Sequence, residues 1–334
     1  MRPGGARRTA SHRPTAADAI GANALQTKAL SAPWFPVPPP LPDERCASAS
    51  LELRYEDIAQ DGRALLESLP HSLGEVVWRQ RLATQPQNRA LLRMGVIPIL
   101  TRLVIDAGDD PIPINQPIQA SGCYDLAHDV DAQGEVERLL LDIWVDVHGV
   151  RGRTNFPSAD GDGARVPVGR VFAEHVFTRP WGPPEERKVK RFELEGMPPV
   201  PERRRAFRPL PRSAELPPGA TLLDEAPVLD ASPIVFGLVH TDSNQHVNSL
   251  VYLRLFEEAL VRRVVAHGER ADVLARWIEI GYRKPCFAGD RVRVRLQLYR
   301  RDGELGAIGA FVPEDDPETT RPYAYVAMGA RRQR

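Results

Sequence analysis

Cysteine is scarce in this chain. Cys46, Cys123 and Cys286 are the three in 334 residues, and no two form a C-x-x-C pair. That argues against a thiolate zinc site. An odd, sparse count fits a reducing cytoplasm better than a secreted disulfide scaffold. Net charge is also missing: 44 basic residues balance 44 acidic ones, so no overall field draws the chain to nucleic acid or to an anionic membrane. No apolar run approaches the ~20 residues of a bilayer-spanning helix. The N-terminus has no apolar core of a secretory signal. The expectation is a cytoplasmic protein with no membrane span, no nucleic-acid partner, no metal and no cofactor.

Proline is abundant, with 32 residues, and its clusters divide the chain. Residues 1–45 are rich in Arg, Ala and Pro and read as a disordered tail, with an organelle transit peptide as the alternative. Seven prolines between Gly196 and Gly219, with Arg203-Arg204-Arg205 among them, mark a linker over 196–225. The flanking stretches 46–195 and 226–334 each read as strand, helix, then several strands. In the first, Leu51–Tyr55 is a strand candidate and Arg63–Trp78 a helix interrupted by Pro70. Strands follow over Ile97–Asp106, Ile118–Leu126, Leu139–Val147 and Val168–Phe177. In the second, strand Ile234–Val239 leads into a helix over Val247–His267. Strands Trp277–Tyr282, Arg291–Tyr299, Leu305–Val312 and Tyr323–Met328 come after it. The second helix carries an apolar row (Leu250, Leu253, Phe256, Leu260, Val264) and a partial second row, the pattern of a helix buried on most sides. The order suggests a weak internal repeat. Laid at the helix entries, Glu56–Gly62 falls over Thr241–Val247, with Asp57 over Asp242 and Asp61 over His246.

The chemistry-bearing run is Thr241–Leu253, TDSNQHVNSLVYL. It sets a carboxylate, an amide and an imidazole (Asp242, Asn244, His246) at a helix start, where backbone N–H groups lack intrahelical partners and favour negative charge. In isolation, Asp242 or Asn244 could simply cap the helix, and His246 could be a satisfied histidine. Together they offer a general base or nucleophile in Asp242, orienting groups in Asn244 and His246, and amides near Val247 and Asn248 for an oxyanion.

This run resembles the hotdog-fold thioesterases, whose pattern is D-x-[N/x]-x-H-V-N-N-x-x-Y. Asp242-Ser243-Asn244-Gln245-His246-Val247-Asn248 looks most like the acyl-ACP thioesterase branch, with the 4-hydroxybenzoyl-CoA thioesterases sharing the Asp. The strip Ile280–Asp290 is similar to the strand after the family's helix. There the plant-type enzymes carry a Glu-Cys pair, and this chain has Pro285 and Cys286. A proline is no base, so Asp242 suffices or another acid, Glu257 or Glu258, substitutes.

The resemblance implies an α+β double hotdog: two antiparallel sheets, each wrapped on a central helix, with 46–195 as a degenerate unit and 226–334 carrying the site. It implies hydrolysis of an acyl thioester on acyl carrier protein or coenzyme A. Asp242, Asn244 and His246 would be catalytic, with Val247, Asn248, Tyr252 and Cys286 at the oxyanion or substrate. A homodimer of such chains is compatible with it. The strings Arg187–Arg191 and Arg203–Arg205 are either solvated loop charge or a dock for the acidic carrier. The alternatives are a non-catalytic acyl-binding scaffold, which Pro285 favours, and an acyltransferase using the same site. The histidine patterns of the fold's dehydratases and hydratases are absent.

Overall fold

The computed structural model describes residues 32–157 and 159–333. One antiparallel sheet organises them. Its long strands are β1 (Cys46–Leu51), β2 (Ile97–Ala107), β3 (Ile118–Val130), β4 (Val136–Val150) and β5 (Arg165–Thr178). Four two-residue strands follow: β6 (Arg203–Arg204), β7 (Thr221–Leu222), β8 (Val228–Leu229) and β9 (Ile234–Val235). The last four are β10 (Val273–Tyr282), β11 (Arg291–Arg301), β12 (Glu304–Pro313) and β13 (Ala324–Arg332). Their order is β1-β3-β4-β5-β2-β10-β13-β12-β11-β7. Read outward from the β2–β10 seam, the two directions match: β2, β5, β4, β3 on one side and β10, β13, β12, β11 on the other. The seam is antiparallel, with Val104 opposite Glu279.

The inner face of the second half is covered by a helix over Ser249–Ala266. It starts where Asn248 Oδ1 accepts the Leu250 N–H at 2.9 Å, an N-cap worth about 1 kcal/mol. It ends at Gly268, whose φ of +77° closes the last turn. Arg263 and His267 lie in and just past that last turn, where positive charge suits the helix dipole, and both reach Asp224. The expected apolar row is buried from Leu253 through Phe256 and Leu260 to Val264, with Leu250 partly covered. Phe256 and Tyr252 pack on Phe311 of β12.

The first half has no such rod. The expected Arg63–Trp78 helix is a 3-10 turn over Leu66–Ser68, a π-helical stretch over Leu73–Leu82 and an α-helix over Pro86–Arg93. Among the described residues the α-helices are, in chain order, α1 (Pro86–Arg93) and α2 (Ser249–Ala266). Pro70 lies between the first two pieces, and Pro86 opens α1 at a position that needs no N–H donor. Two strand expectations also shift. The first strand ends at Leu51, with Tyr55 opening a 3-10 turn. Only Ile234–Val235 of the run before the motif pairs, and Leu238–His240 is another 3-10 turn.

The outer face is covered by chain expected to be tail and linker. Of the tail over 1–45, residues 1–31 lie outside the described residues. Residues 32–45 pack down: the Pro36 carbonyl accepts from Trp144 Nε1 at 3.0 Å, and Arg170 lies over Phe35 at 4.1 Å. Arg203 and Arg205 of the linker are not a free basic surface. Arg205 bonds Asp142 at 2.7 Å and Glu174 at 2.8 Å, and Arg203 bonds Asp125 and Asp142. Arg208 joins Arg102 and Ser213 on one oxygen of the buried Glu279. Gly281 is required there, because a Cβ would stand 2.7 Å from Ser213 Oγ. In the other string, Lys188 reaches Glu137 at 3.3 Å.

Cysteine usage also needs correction. Cys46 and Cys123 are opposed on β1 and β3 and form a disulfide, leaving Cys286 as the free thiol. With two of its three cysteines joined, the chain gives no sign of a reducing compartment. Among the described residues no helix is long and apolar enough to cross a membrane, and no group of three potential metal ligands occurs.

Candidate active site

The motif folds as a tight hairpin. Thr241 bridges Val247, the Asp242 N–H donates to the His246 carbonyl at 3.0 Å, and the Gln245 N–H donates to the Asp242 carbonyl at 2.9 Å. Gln245 takes φ of +65°, the left-handed conformation the turn needs. Asp242 is half-buried, and its Oδ1 accepts the Asn244 N–H at 2.8 Å. Its Oδ2 has no protein hydrogen bond among the described residues. Asn244 is exposed at the tip, and His246 is half-buried with its ring edge-on to Phe287, 5.1 Å away. Asp242 and His246 thus flank the hairpin two or more residues before Asn248, within about 7 Å of chain for His246.

The oxyanion expectation is corrected at both named amides. The Val247 N–H donates to the Cys286 carbonyl at 2.9 Å, and the Asn248 N–H donates to the His240 carbonyl at 2.8 Å. Asn248 then caps Leu250 with its side chain and takes the Val251 N–H on its carbonyl. The first-turn amide left without a partner among the described residues is that of Ser249.

Tyr252 and Cys286, expected at the substrate, lie in the core and do not line the cavity at the start of α2. Both are buried, and the Cys286 N–H donates to the Tyr252 hydroxyl at 3.2 Å. Burial pushes the Cys286 thiol up to about 12, so it is no thiolate at neutral pH. The candidate substitute acids are also engaged. Glu257 accepts the Ala275 N–H at 2.8 Å, and Glu258 lies 3.6 Å from Arg262.

A cavity of about 600 Å³ opens beside the start of α2. Asn248, Ser249 and Leu250 form one wall. The rest belongs to the first half, including Leu69, Leu73, Trp78, Leu103, Val147 and His175. Of the seven candidate residues, Asn248 alone lines it. Ion pairs border it: Asp57 is held by Arg54 at 2.8 Å, and Glu67 by Arg254 of α2 at 2.9 Å. His175 was missed in the sequence. Its signal was parity: it shares the inward face of β5 with Ala173 and Phe177, all three buried, in a row otherwise apolar.

The motif hairpin has a backbone double in the first half. Ile58 bridges Ala64, the Ala59 N–H donates to the Arg63 carbonyl at 2.8 Å, and the Gly62 N–H donates to the Ala59 carbonyl at 2.9 Å. The Leu65 N–H donates to the Asp57 carbonyl at 2.9 Å, as Asn248 does to His240. Gly62, at φ of +87°, stands where Gln245 does. The expected alignment is therefore two residues out. Ala59 corresponds to Asp242, Asp61 to Asn244, Arg63 to His246 and Leu65 to Asn248.

No protein-family model matches the chain, and no curated protein matches it by sequence. Solved structures do. A structure assigned as an oleoyl thioesterase of Lactobacillus plantarum aligns over 86% of this chain and 97% of its own, at 15% identity and TM-score 0.56. An acyl-ACP thioesterase of Bacteroides thetaiotaomicron covers 86% and 99%, at 13% identity and TM-score 0.51. A 12:0-ACP thioesterase of Umbellularia californica covers 86% and 94%, at 10% identity and TM-score 0.52. At these identities the likeness establishes the fold alone, an α+β hotdog fold.

Proposed function

We propose that this protein hydrolyses acyl thioesters, with the motif hairpin as the catalytic centre and the adjoining cavity as the acyl site. The two sheet halves about the β2–β10 seam are read as two hotdog units in one chain, the first over 46–195 and the second over 226–334. The observation that carries the proposal is the position of α2. Its capped start forms a wall of the cavity, and the hairpin bearing Asp242 and His246 leads directly into it.

In this reading Asn244 N–H fixes Asp242 through Oδ1, and Oδ2 takes a proton from water. The water oxygen bonds to the thioester carbon, and the carbonyl electron pair moves onto oxygen. The Ser249 amide, aided by the helix dipole, holds that charge. Collapse breaks the C–S bond and releases thiolate, which takes up the proton. Thiolate leaves readily, so the absence of an acid at Pro285 is no obstacle. His246 and Asn244 orient Asp242 and the water. The carrier is acyl carrier protein or coenzyme A, and the neighbours' names favour the former.

A panel of acyl-CoA and acyl-carrier thioesters with a thiol-release readout tests this. Turnover that disappears in Asp242→Asn, with the circular dichroism spectrum retained, is the expected result. Turnover that survives removes Asp242 from the mechanism. The second reading, an acyl-binding protein without catalysis, is favoured by Pro285 and gives a ligand that binds and is never cleaved.

A further inference from the structure

The sheet floor of the cavity is hydrocarbon except for one polar side chain, and charged residues such as Arg54, Asp57 and Glu67 lie on the other walls. His175 lies mid-sheet, opposite Leu100 of β2 and Leu141 of β4. It is 7% exposed, lines the cavity, and stands edge-on to Trp78 at 5.6 Å. The charged residue beside it, Glu174, points to the opposite face and is bound to Arg205 there.

His175 Nδ1 is sealed from solvent and has no well-formed hydrogen bond. The nearby backbone of Leu141 and Ala173 opposes burial and favours a proton on the ring. Because Nδ1 is walled in, Nε2 is the ring nitrogen that can meet the cavity, where the Nδ1–H tautomer gives it a lone pair. Burial pushes the imidazole down to about 4, so it is neutral at pH 7. A buried acceptor without a partner is costly, and a hydrocarbon chain laid over it removes the remaining water without replacing its hydrogen bond.

We propose that His175 is the specificity determinant of this cavity and selects acyl chains bearing a hydroxyl group over plain chains of the same length. The assignment deepens the thioester reading and rests on it for the word acyl. A hydroxyl can donate to the bare nitrogen. A methylene cannot, and neither can an oxo group. A carboxylate at the same place would be a charge buried against an uncharged imidazole.

The test uses full-length protein with saturated acyl-CoA thioesters and positional series of their monohydroxylated and oxo counterparts. Wild type is expected to favour one hydroxyl position in kcat/KM by on the order of tenfold, the worth of a single net hydrogen bond. His175→Leu should bring that ratio to one or below, and His175→Gln, which keeps an acceptor, should hold it above one. Calorimetric binding of the free hydroxylated and plain fatty acids supplies a readout without turnover. If no thioester is cleaved but the hydroxylated acids bind tighter in a His175-dependent way, the hydrolase reading fails and this assignment stands. Equal or better use of plain chains by wild type overturns it, whether or not the variants fold. So does a preference that His175→Leu leaves unchanged.

Discussion

At the entry to α2, Asp242, Asn244, His246 and Asn248 occupy the same backbone stations as Ala59, Asp61, Arg63 and Leu65 in the first half. The turn is kept and the side chains are not. Where the second half has a half-buried carboxylate with one oxygen free, the first has a methyl group. Its nearest acid, Asp61, is locked to Arg63 by a 2.7 Å bond from Nε. Where Asn248 caps a continuous helix, Leu65 offers no acceptor, and the helix that follows is broken. The second half buries Phe256, Leu260 and Val264 of a continuous helix and carries the polar hairpin. The first has a broken helix and supplies most of the cavity wall. The polar hairpin and the cavity thus come from different halves and meet where α2 begins.

The comparison can be broken most sharply at the carboxylates. Asp242→Asn should reduce thiol release by on the order of a thousandfold. Asp61→Asn should leave kcat in place and lower stability, because the buried Arg63 then keeps only its longer ion pair, to Asp109 at 3.3 Å. Comparable losses of kcat in both variants would end the claim that one hairpin is catalytic. The next effect is on stability. Arg205→Ala strips the buried Glu174 of its paired cation and leaves Asp142 to Arg203 alone, and should cost about 3–5 kcal/mol in urea denaturation. The exposed Arg212 pair with Glu215 should be nearly silent when cut.

A pH experiment separates the halves through His175. Its folded value near 4 lies below the ordinary 6.5, chiefly through burial, with Leu141, Asp142 and Ala173 opposing. The unfolded chain therefore takes the proton first. The contribution is fully present above pH 6.5 and is lost as pH falls toward 4, with a swing of about 3 kcal/mol. Denaturation at stepped pH should show this slope in wild type and its loss in His175→Leu. The smallest effect is at the cap: Asn248→Ala should destabilise by about 1 kcal/mol, whereas Leu65→Ala removes no cap and changes no helix start.

Much was legible in the linear chain. The apolar row of α2 and the eight long strands from β2 to β5 and β10 to β13 follow from local spacing, whereas the cap falls on Asn248 and not on Asp242 or Asn244. What was not legible depended on non-local approach. The arginines at 203 and 205 read as free charge because their acids, Asp142 and Glu174, are distant in sequence and meet them only across the sheet. Cys46 and Cys123 read as isolated for the same reason. Val247 and Asn248 amides read as open because nothing in the motif says that Cys286 and His240 carbonyls will cover them. The repeat was seen but laid two residues out, since identical letters (Asp, Gln) outweighed a backbone match that only φ angles and hydrogen bonds reveal.

The sequence by itself determined the periodic elements and the turn chemistry, because side-chain parity, capping and proline act over a few residues. The tertiary structure alone decided where the empty space lies. A cavity is the difference between what a sheet could enclose and what a broken helix fills. That difference depends on strands and helices brought together from both halves, as does the placing of a lone imidazole inside it.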